Sequence, residues 1–177
     1  MRRAASILAC AALLGCGSDE PKSAAKAGDR PANAPAELAK LNDQANQLLD
    51  GGVDAFRARL GELRGYPVVV NRWASWCAPC RAEFPFFQRQ AIERGAKVAF
   101  LGVDVEDNDA DAREFLDQFP VSFPSYRDPD LKISAELKVI APPSTIFYDS
   151  KGELAYIHQG AYPSEEKLVE DIDRYAR

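Results

Sequence analysis

Two cysteines lie two residues apart in the stretch WASWCAPCRAEFP, residues 73–85, and this spacing is compatible with three kinds of chemistry. A structural zinc ion needs four ligands, but Cys77 and Cys80 have no second paired motif, and the single histidine, His158, is distant in sequence. A disulfide that closes so short a loop removes little entropy from the unfolded chain, so a purely structural bridge is a weak explanation. Reversible oxidation of the pair fits the spacing best.

The position of the pair predicts how it reacts. If a helix begins at Cys77, then Cys80 lies one turn further in, and the two sulfurs can bond or separate with little backbone change. The unpaired N–H groups and the dipole of the helix N-terminus stabilise a thiolate at Cys77, which makes this sulfur the attacking one. We expect Cys80 to be less exposed and to resolve the mixed disulfide, while Pro79 removes one amide donor and stiffens the loop.

The segments around the pair alternate between strand and helix patterns. Apolar runs at 67–71 and 97–104 indicate buried strands, because they are too continuous for half-exposed ones. The other expected elements are helices over 38–49, 53–63, from the cysteines to about Arg94, 109–119 and 130–137, an extended piece at 121–126, a hairpin of 144–149 with 153–159, and a last helix from about Ser164. This order predicts an α/β fold with three layers, in which helices flank a mixed central β-sheet.

The first residues have the character of an export signal. Residues 1–15 join two arginines to a short apolar run and lead into the sequence LLGC, which resembles the lipobox of bacterial lipoproteins. We therefore expect a cleaved signal peptide, a lipid on Cys16 and a flexible tether over 16–36, since that segment is polar and lacks apolar periodicity. Only the spaced cysteine pair then remains as thiols, in an extracytoplasmic compartment where disulfides can persist.

Composition limits the remaining possibilities. The chain has 177 residues, of which 46% are hydrophobic, and this suits one domain, 37–177, with a helical extension over about 37–64. The net charge is −5 and no basic block is present, so nothing indicates binding to nucleic acid. No motif for a cofactor is visible either.

Two segments, VVVNRWASWCAPCRAEFPFF and PPSTIFYDSKGELAYIHQG, resemble the thioredoxin superfamily. They are most similar to its extracytoplasmic, membrane-tethered branch, the TlpA/ResA-type thiol–disulfide oxidoreductases. The resemblance covers about residues 50–177, and its first motif is highly specific. It implies a thioredoxin-like fold, a reversible dithiol at Cys77 and Cys80, and protein disulfides as substrates.

The resemblance also implies roles for individual residues. Trp76, Pro79 and Pro143 correspond to the substrate groove, and Pro143 corresponds to the family's cis-proline. Asn71 stands where thioredoxins have a buried Asp that shuttles protons, and an amide cannot titrate. Glu83, one helical turn beyond the second cysteine, then becomes the candidate acid that takes or gives that cysteine's proton. The alternative for Glu83 is a solvated helix residue.

Two residues depart from the family pattern. Pro142 stands where family members bind the substrate backbone through an N–H group, which proline lacks, so one substrate hydrogen bond should be missing. Arg72 replaces a usual aromatic residue, and we expect it to pair with a carboxylate such as Asp104 or Asp149.

Together these observations predict a monomeric, lipid-anchored thiol–disulfide oxidoreductase that faces outward from a bacterial membrane and needs no cofactor or metal. Reduction of protein disulfides is favoured, with electrons from a membrane-embedded dithiol donor, and apocytochrome c is a target on the resemblance alone. The alternatives are a disulfide-forming oxidase, a thiol peroxidase of the same fold and a metal-binding chaperone. Reduction potentials of such motifs span about −270 to −120 mV, and two loop residues do not place this chain within that range.

Overall fold

A computed structural model describes residues 31–177. The predicted signal peptide, the predicted lipidation site Cys16 and most of the predicted tether lie outside the described residues. Pro31 was expected in the tether but is buried. Helix α1, Ala36–Asn42, also buries Leu38 completely. The folded region therefore reaches Pro31, several residues before the predicted boundary at 37.

Helices and strands alternate along the described part of the chain. After α1, in chain order, they are β1 Leu48–Leu49, α2 Gly52–Glu62, β2 Val68–Trp73, α3 Ala78–Arg94, β3 Ala99–Val105, α4 Asp109–Gln118, β4 Ser125–Asp128, α5 Lys132–Leu137, β5 Ser144–Tyr148, β6 Leu154–Gln159 and α6 Glu165–Tyr175. None of the helices within 31–177 is both long and apolar enough to cross a bilayer.

The strands form one mixed sheet in the order β1-β4-β3-β2-β5-β6. The pairs β1–β4, β3–β4 and β2–β3 are parallel, whereas β2–β5 and β5–β6 are antiparallel. The strand that leads into the cysteines, β2, therefore lies in the interior of the sheet with a neighbour on each side.

Successive side chains of β2 point to opposite faces of the sheet, and their contacts show which helices pack on each face. Asn71 reaches Glu83 of α3, while the next residue, Arg72, reaches Ser134 of α5 on the opposite face. Ring contacts place α4 beside α3, and α6 contacts α3, so these three helices cover one face. Helices α2 and α5 contact each other and cover the other face. The predicted three-layer α/β sandwich with a mixed sheet is confirmed.

Trp73 fixes the carboxyl end of β2 in the core. Its side chain is fully buried, its ring stacks on Phe115 with centroids 4.7 Å apart, and its indole N–H donates to Ser125 Oγ at 3.0 Å. The approach of these side chains requires a glycine at Gly102, because a Cβ there would clash with Ser125 Oγ. Burial of an aromatic ring typically contributes about 1.5–3 kcal/mol, so the strand end that carries the cysteine turn is firmly held.

The predicted helix over 38–49 is wrong in its second half. Helix α1 ends at Asn42, and Leu48–Leu49 pairs with β4 as a strand. Between them Asn46 has a φ of 62°, in the left-handed region that an α-helix does not pass through. The helical extension expected over 37–64 is therefore interrupted by an edge strand of the sheet.

Candidate active site

Cys77 and Cys80 form a disulfide at the N-terminus of α3, with Cα atoms 5.3 Å apart. Cys77 is the N-cap residue, and its Sγ accepts a hydrogen bond from the Cys80 backbone N–H at 3.2 Å. Cys77 is 4% exposed and Cys80 is 0% exposed. The same N–H group can bond to a Cys77 thiolate when the bridge is open, so the helix terminus favours an anion on the more accessible sulfur.

Glu83 lies on α3, one turn beyond Cys80, and is fully buried. Its Oε1 accepts a hydrogen bond from Asn71 Nδ2 at 2.9 Å, and its Oε2 accepts one from the Tyr162 backbone N–H at 2.9 Å. Burial raises the pKa of Glu83 from 4.5 to about 7, and the two hydrogen bonds limit that rise because they favour the carboxylate. A carboxyl group with this pKa can accept and donate a proton near neutral pH. The alternative of a solvated helix residue is wrong.

The turn between β2 and α3 is held by groups outside it. Asp107, which follows β3, accepts hydrogen bonds from the Ser75 backbone N–H at 2.6 Å and from the Ser75 hydroxyl at 2.8 Å. Arg81 on α3 donates to the Ser75 carbonyl oxygen at 2.6 Å. The Trp76 indole N–H donates to the Glu106 carbonyl oxygen at 3.1 Å. Sequence reasoning missed these contacts, because nothing local relates residue 75 to residue 107.

Asp104 is a second buried carboxyl group beside this turn. It lies on β3 in register with Trp73 and is 4% exposed. Burial raises the pKa of Asp104 from 3.8 to about 8, and the charge of Asp107 and a hydrogen bond to it add to the rise, whereas Arg127 opposes it. The raised pKa favours the protonated form of Asp104 near neutral pH, and in that form Asp104 can donate a hydrogen bond to Asp107. From the sequence alone, Asp104 is expected only as a partner for Arg72.

The residues assigned to the substrate groove differ in exposure. Trp76 is 56% exposed and Pro79 is also exposed, whereas Pro143 is buried. Because Ser144 pairs with Arg72 near the end of β2, Pro143 lies at the same end of the sheet as the disulfide. The predicted groove residues therefore lie around the cysteine turn, at the carboxyl end of β2.

The loop before Pro143 lacks a backbone donor at Pro142 and exposes Ile140. The Pro142–Pro143 peptide bond is cis, the geometry that the resemblance implied, and Pro142 has no N–H group to offer a substrate. Ile140, in the same loop, is 91% exposed. Sequence reasoning did not single out Ile140, although an isoleucine between a valine and an Ala-Pro-Pro run is an apolar residue in a loop.

Arg72 does not have either of its predicted partners. It is fully buried, and its Nε donates to Ser134 Oγ at 2.8 Å. Burial lowers its pKa, and the charge of Asp128 opposes this effect. Asp104 pairs with the residue after Arg72 and so faces the other side of the sheet, and Asp149 lies beyond the far end of β5. The expected pairing with Asp104 or Asp149 is therefore wrong.

His158 has a packing role in the structure. Its ring stacks on Tyr162 with centroids 4.1 Å apart, and its Nδ1 lies 3.6 Å from Asp171 Oδ2. It is half-buried on β6. Among residues 31–177, no group of three or more His, Cys, Asp or Glu side chains is arranged to hold a metal ion.

Comparison with known proteins agrees with this geometry. Residues 34–173 match the Redoxin family. The chain belongs to the Redoxin family. It is 33% identical over 110 residues to the thiol-disulfide oxidoreductase ResA of Oceanobacillus iheyensis, which covers 62% of this chain and 57% of that relative. It is also 38% identical over 92 residues to the thiol:disulfide interchange protein DsbE of Pseudomonas fluorescens biotype C, which covers 51% of this chain and 50% of that relative.

A solved structure gives the same relationship. DsbF of Mycobacterium tuberculosis, in its mixed oxidized and reduced forms, superposes with a TM-score of 0.59 at 29% identity and covers 63% of this chain and 82% of its own. The thioredoxin-like fold and the kinship with ResA-type proteins are therefore confirmed. The relatives bear the names of thiol–disulfide oxidoreductases, in agreement with the predicted enzyme class, and the chain spans between half and three fifths of the length of the two curated relatives.

Proposed function

We propose that this protein is a thiol–disulfide oxidoreductase that reduces disulfides of other proteins outside the cytoplasm. One observation carries the proposal: the disulfide lies at the start of α3, where the more exposed sulfur, that of Cys77, already accepts an N–H hydrogen bond. The buried partner, Cys80, precedes the fully buried acid Glu83 by one helical turn. This arrangement supplies an attacking thiolate, a resolving thiol and a proton acceptor.

The reaction begins with the open, reduced pair. The Cys77 thiolate attacks one sulfur of the substrate disulfide, a mixed disulfide forms, and the other substrate sulfur leaves as a thiolate. Cys80 Sγ then attacks Cys77 Sγ, the internal bridge closes, and the second substrate sulfur is released. The Glu83 carboxylate accepts the Cys80 proton during this step. Two electrons pass to the substrate, and a membrane-embedded dithiol protein must return them.

Insulin reduction with excess dithiothreitol tests the activity. We expect the chain to accelerate precipitation of the insulin B chain and Cys77→Ser to abolish the acceleration. When it is mixed with insulin after dithiothreitol has been removed, reduced Cys80→Ser should accumulate a mixed disulfide. Cys16→Ser is the matched control, because it makes the same substitution away from the pair and should leave the rate unchanged. Wild-type activity in the Cys77→Ser variant would refute the proposal.

The direction of transfer follows from the reduction potential. Equilibration of the pair with reduced and oxidised glutathione should give a value near the thioredoxin end of the range, at about −270 mV. A value near the strongly oxidising end, at about −120 mV, would instead identify the disulfide-forming oxidase among the alternatives.

The tether and the partners form part of the same proposal, supported by the lipobox-like LLGC and by the family resemblance. We expect Cys16→Ser to move the protein from the membrane fraction to the soluble fraction of cells. In cells, Cys80→Ser should trap the substrate as a mixed disulfide that reductant releases. Recovery of apocytochrome c would agree with the implied target, and recovery of another protein would replace it. Light scattering checks the expected monomer.

A further inference from the structure

The turn that presents Cys77 depends on distant groups for its shape. Within the turn, the Cys77 backbone N–H donates to the Ala74 carbonyl oxygen at 3.1 Å. The polar groups of Ser75 bond to residues outside the turn. Its N–H and hydroxyl donate to Asp107, and its carbonyl oxygen accepts a hydrogen bond from Arg81. A carboxylate that accepts two hydrogen bonds from one residue fixes both the position and the orientation of that residue.

Asp107 is itself held on both sides. The residue before it, Glu106, has a φ of 48°, which turns the chain sharply after β3 and directs the Asp107 side chain towards Ser75. The Asn108 backbone N–H donates to Asp107 Oδ1 at 3.1 Å, and the Asn108 side chain caps the start of α4. Asp107 thus joins the end of β3 and the start of α4 to the cysteine turn.

Two further side chains, Asp104 and Arg81, lie close to this anchor. The buried Asp104 carboxyl group has a pKa raised by burial and by Asp107, which favours its protonated form, and in that form it can donate a hydrogen bond to Asp107. Arg81 supplies a positive charge on the other side of Ser75. The carboxylate of Asp107 is therefore surrounded by donors, as an anion that serves as a fixed anchor must be.

We propose that Asp107 is a positioning residue for the attacking cysteine. It holds Ser75 so that the chain enters α3 with Cys77 Sγ directed at the Cys80 N–H. This inference rests on the proposed oxidoreductase function. Two effects of Asp107 have opposite signs: its hydrogen bonds favour the Cys77 thiolate by fixing the turn, whereas its negative charge disfavours a second anion nearby. The stabilisation by the hydrogen bonds is larger than the destabilisation by the charge.

Alkylation of Cys77 by iodoacetamide at pH 6 tests the sign. In a Cys80→Ser background, with the Cys77 peptide followed by mass spectrometry, we expect Asp107→Ala to slow alkylation by at least about fivefold, because the thiolate fraction falls. Asp107→Asn keeps one acceptor oxygen and should recover part of that loss. Asp117→Ala on α4 is the matched control, since it removes an equal, exposed charge that bonds to nothing in the turn, and its rate should equal that of the parent.

Several outcomes would overturn the inference. An unchanged rate in Asp107→Ala shows that the turn holds its shape without the anchor, and a faster rate shows that the charge is the larger effect. If Asp107→Ala does not fold, Ser75→Ala provides the test, because it removes one of the two hydrogen bonds and should slow alkylation by about twofold, in the same direction. An unchanged or faster rate in Ser75→Ala would likewise contradict the proposed role of Asp107.

A second measurement separates positioning from general damage and from the proposed function. Loss of thiolate stabilisation should shift the glutathione equilibrium of the intact Cys77–Cys80 pair towards the disulfide in Asp107→Ala, while far-ultraviolet circular dichroism stays that of the parent. Neither readout needs a protein substrate. If the wild-type chain fails to reduce insulin, the proposed function falls and the alkylation series still decides the role of Asp107.

Discussion

Two buried carboxyl groups flank the cysteine turn, and their surroundings differ. Glu83 accepts two hydrogen bonds from neutral donors, an amide side chain and a backbone N–H. Asp104 lies beside the carboxylate of Asp107, and its Oδ1 has no hydrogen-bond partner among the described residues. Burial is the largest cause of the raised pKa in both, to about 7 for Glu83 and about 8 for Asp104.

Neighbouring residues give these two similar carboxyl groups different pKa values and therefore different roles. Donors that favour the carboxylate bring the pKa of Glu83 back to neutrality, where the group changes charge during a reaction. Burial, reinforced by the neighbouring charge of Asp107, raises the pKa of Asp104 above neutrality, so this group serves as a hydrogen-bond donor and not as a proton carrier. The two groups should therefore respond differently to substitution, the first in rate and the second in stability.

The largest expected effect is that of Glu83→Gln on the resolving step. In single-turnover reactions with a small aromatic disulfide, release of the second thiol should rise with pH through about 7 in the wild type, because the carboxylate form accepts the Cys80 proton. The variant should be slower by about 100-fold and should lack this inflection. Glu93→Gln, on the exposed side of the same helix, is the control. An inflection that persists in Glu83→Gln assigns it to another group.

Asp104→Asn should act on stability. The folded state keeps the Asp104 proton up to about pH 8, whereas an unfolded Asp loses it near about pH 4, so wild-type stability falls as pH rises through this window. The amide retains a donor and cannot ionise. We expect the variant to gain up to about 4 kcal/mol on the wild type between pH 5 and pH 9, at about 1.4 kcal/mol for each pH unit below the folded pKa, as measured by urea unfolding of the oxidised protein. Parallel stability curves would contradict the raised pKa.

Asn71→Asp places a second carboxyl group beside Glu83, as Asp107 lies beside Asp104. It replaces an amide donor by a second carboxyl group, so both changes raise the pKa of Glu83. The inflection of the resolving step should move to higher pH by about one unit. The same single-turnover assay measures it, and an inflection that stays in place or moves to lower pH would show that Asn71 does not control this group.

Arg127→Gln should have the smallest effect. Arg127 opposes the raised pKa of Asp104, so its loss should extend the pH window over which stability falls. The side chain is 29% exposed and also pairs with Asp50 and Asp109, so solvent and salt screen its charge. We expect a change of a few tenths of a kcal/mol between pH 7 and pH 10 in urea unfolding, which high salt should remove. A change as large as that of Asp104→Asn would mean that Arg127 is the main control.

Elements with a strong local pattern could be predicted from the sequence, and elements that depend on a distant partner could not. The helix after Cys77 and the hairpin around Gly152 follow from spacing and turn residues within a few positions. Leu48–Leu49 lies at helical spacing from earlier leucines, and it becomes a strand only because β4, far along the chain, pairs with it. Local periodicity contains no information about that pairing.

The site shows the same division. Glu83 could be found because it lies one helical turn from Cys80 on a helix that the sequence specifies. Asp107 could not, because its contact with Ser75 depends on the parallel pairing of β2 with β3 and on the left-handed backbone of Glu106. The partner of Arg72 was missed for a related reason, since the strand register decides which face each side chain occupies.

The interior place of β2 in the sheet has a consequence for motion. Each of its amide hydrogens is directed at β3 or at β5 and can exchange with solvent only when a ladder inside the sheet opens, whereas β1 has two residues at an edge. Hydrogen exchange should therefore be slow along 68–73 and fast along β1. The redox centre thus stands at the end of a strand in the interior of the sheet, so we expect any rearrangement between bridge and dithiol to occur in the helix terminus and the turn.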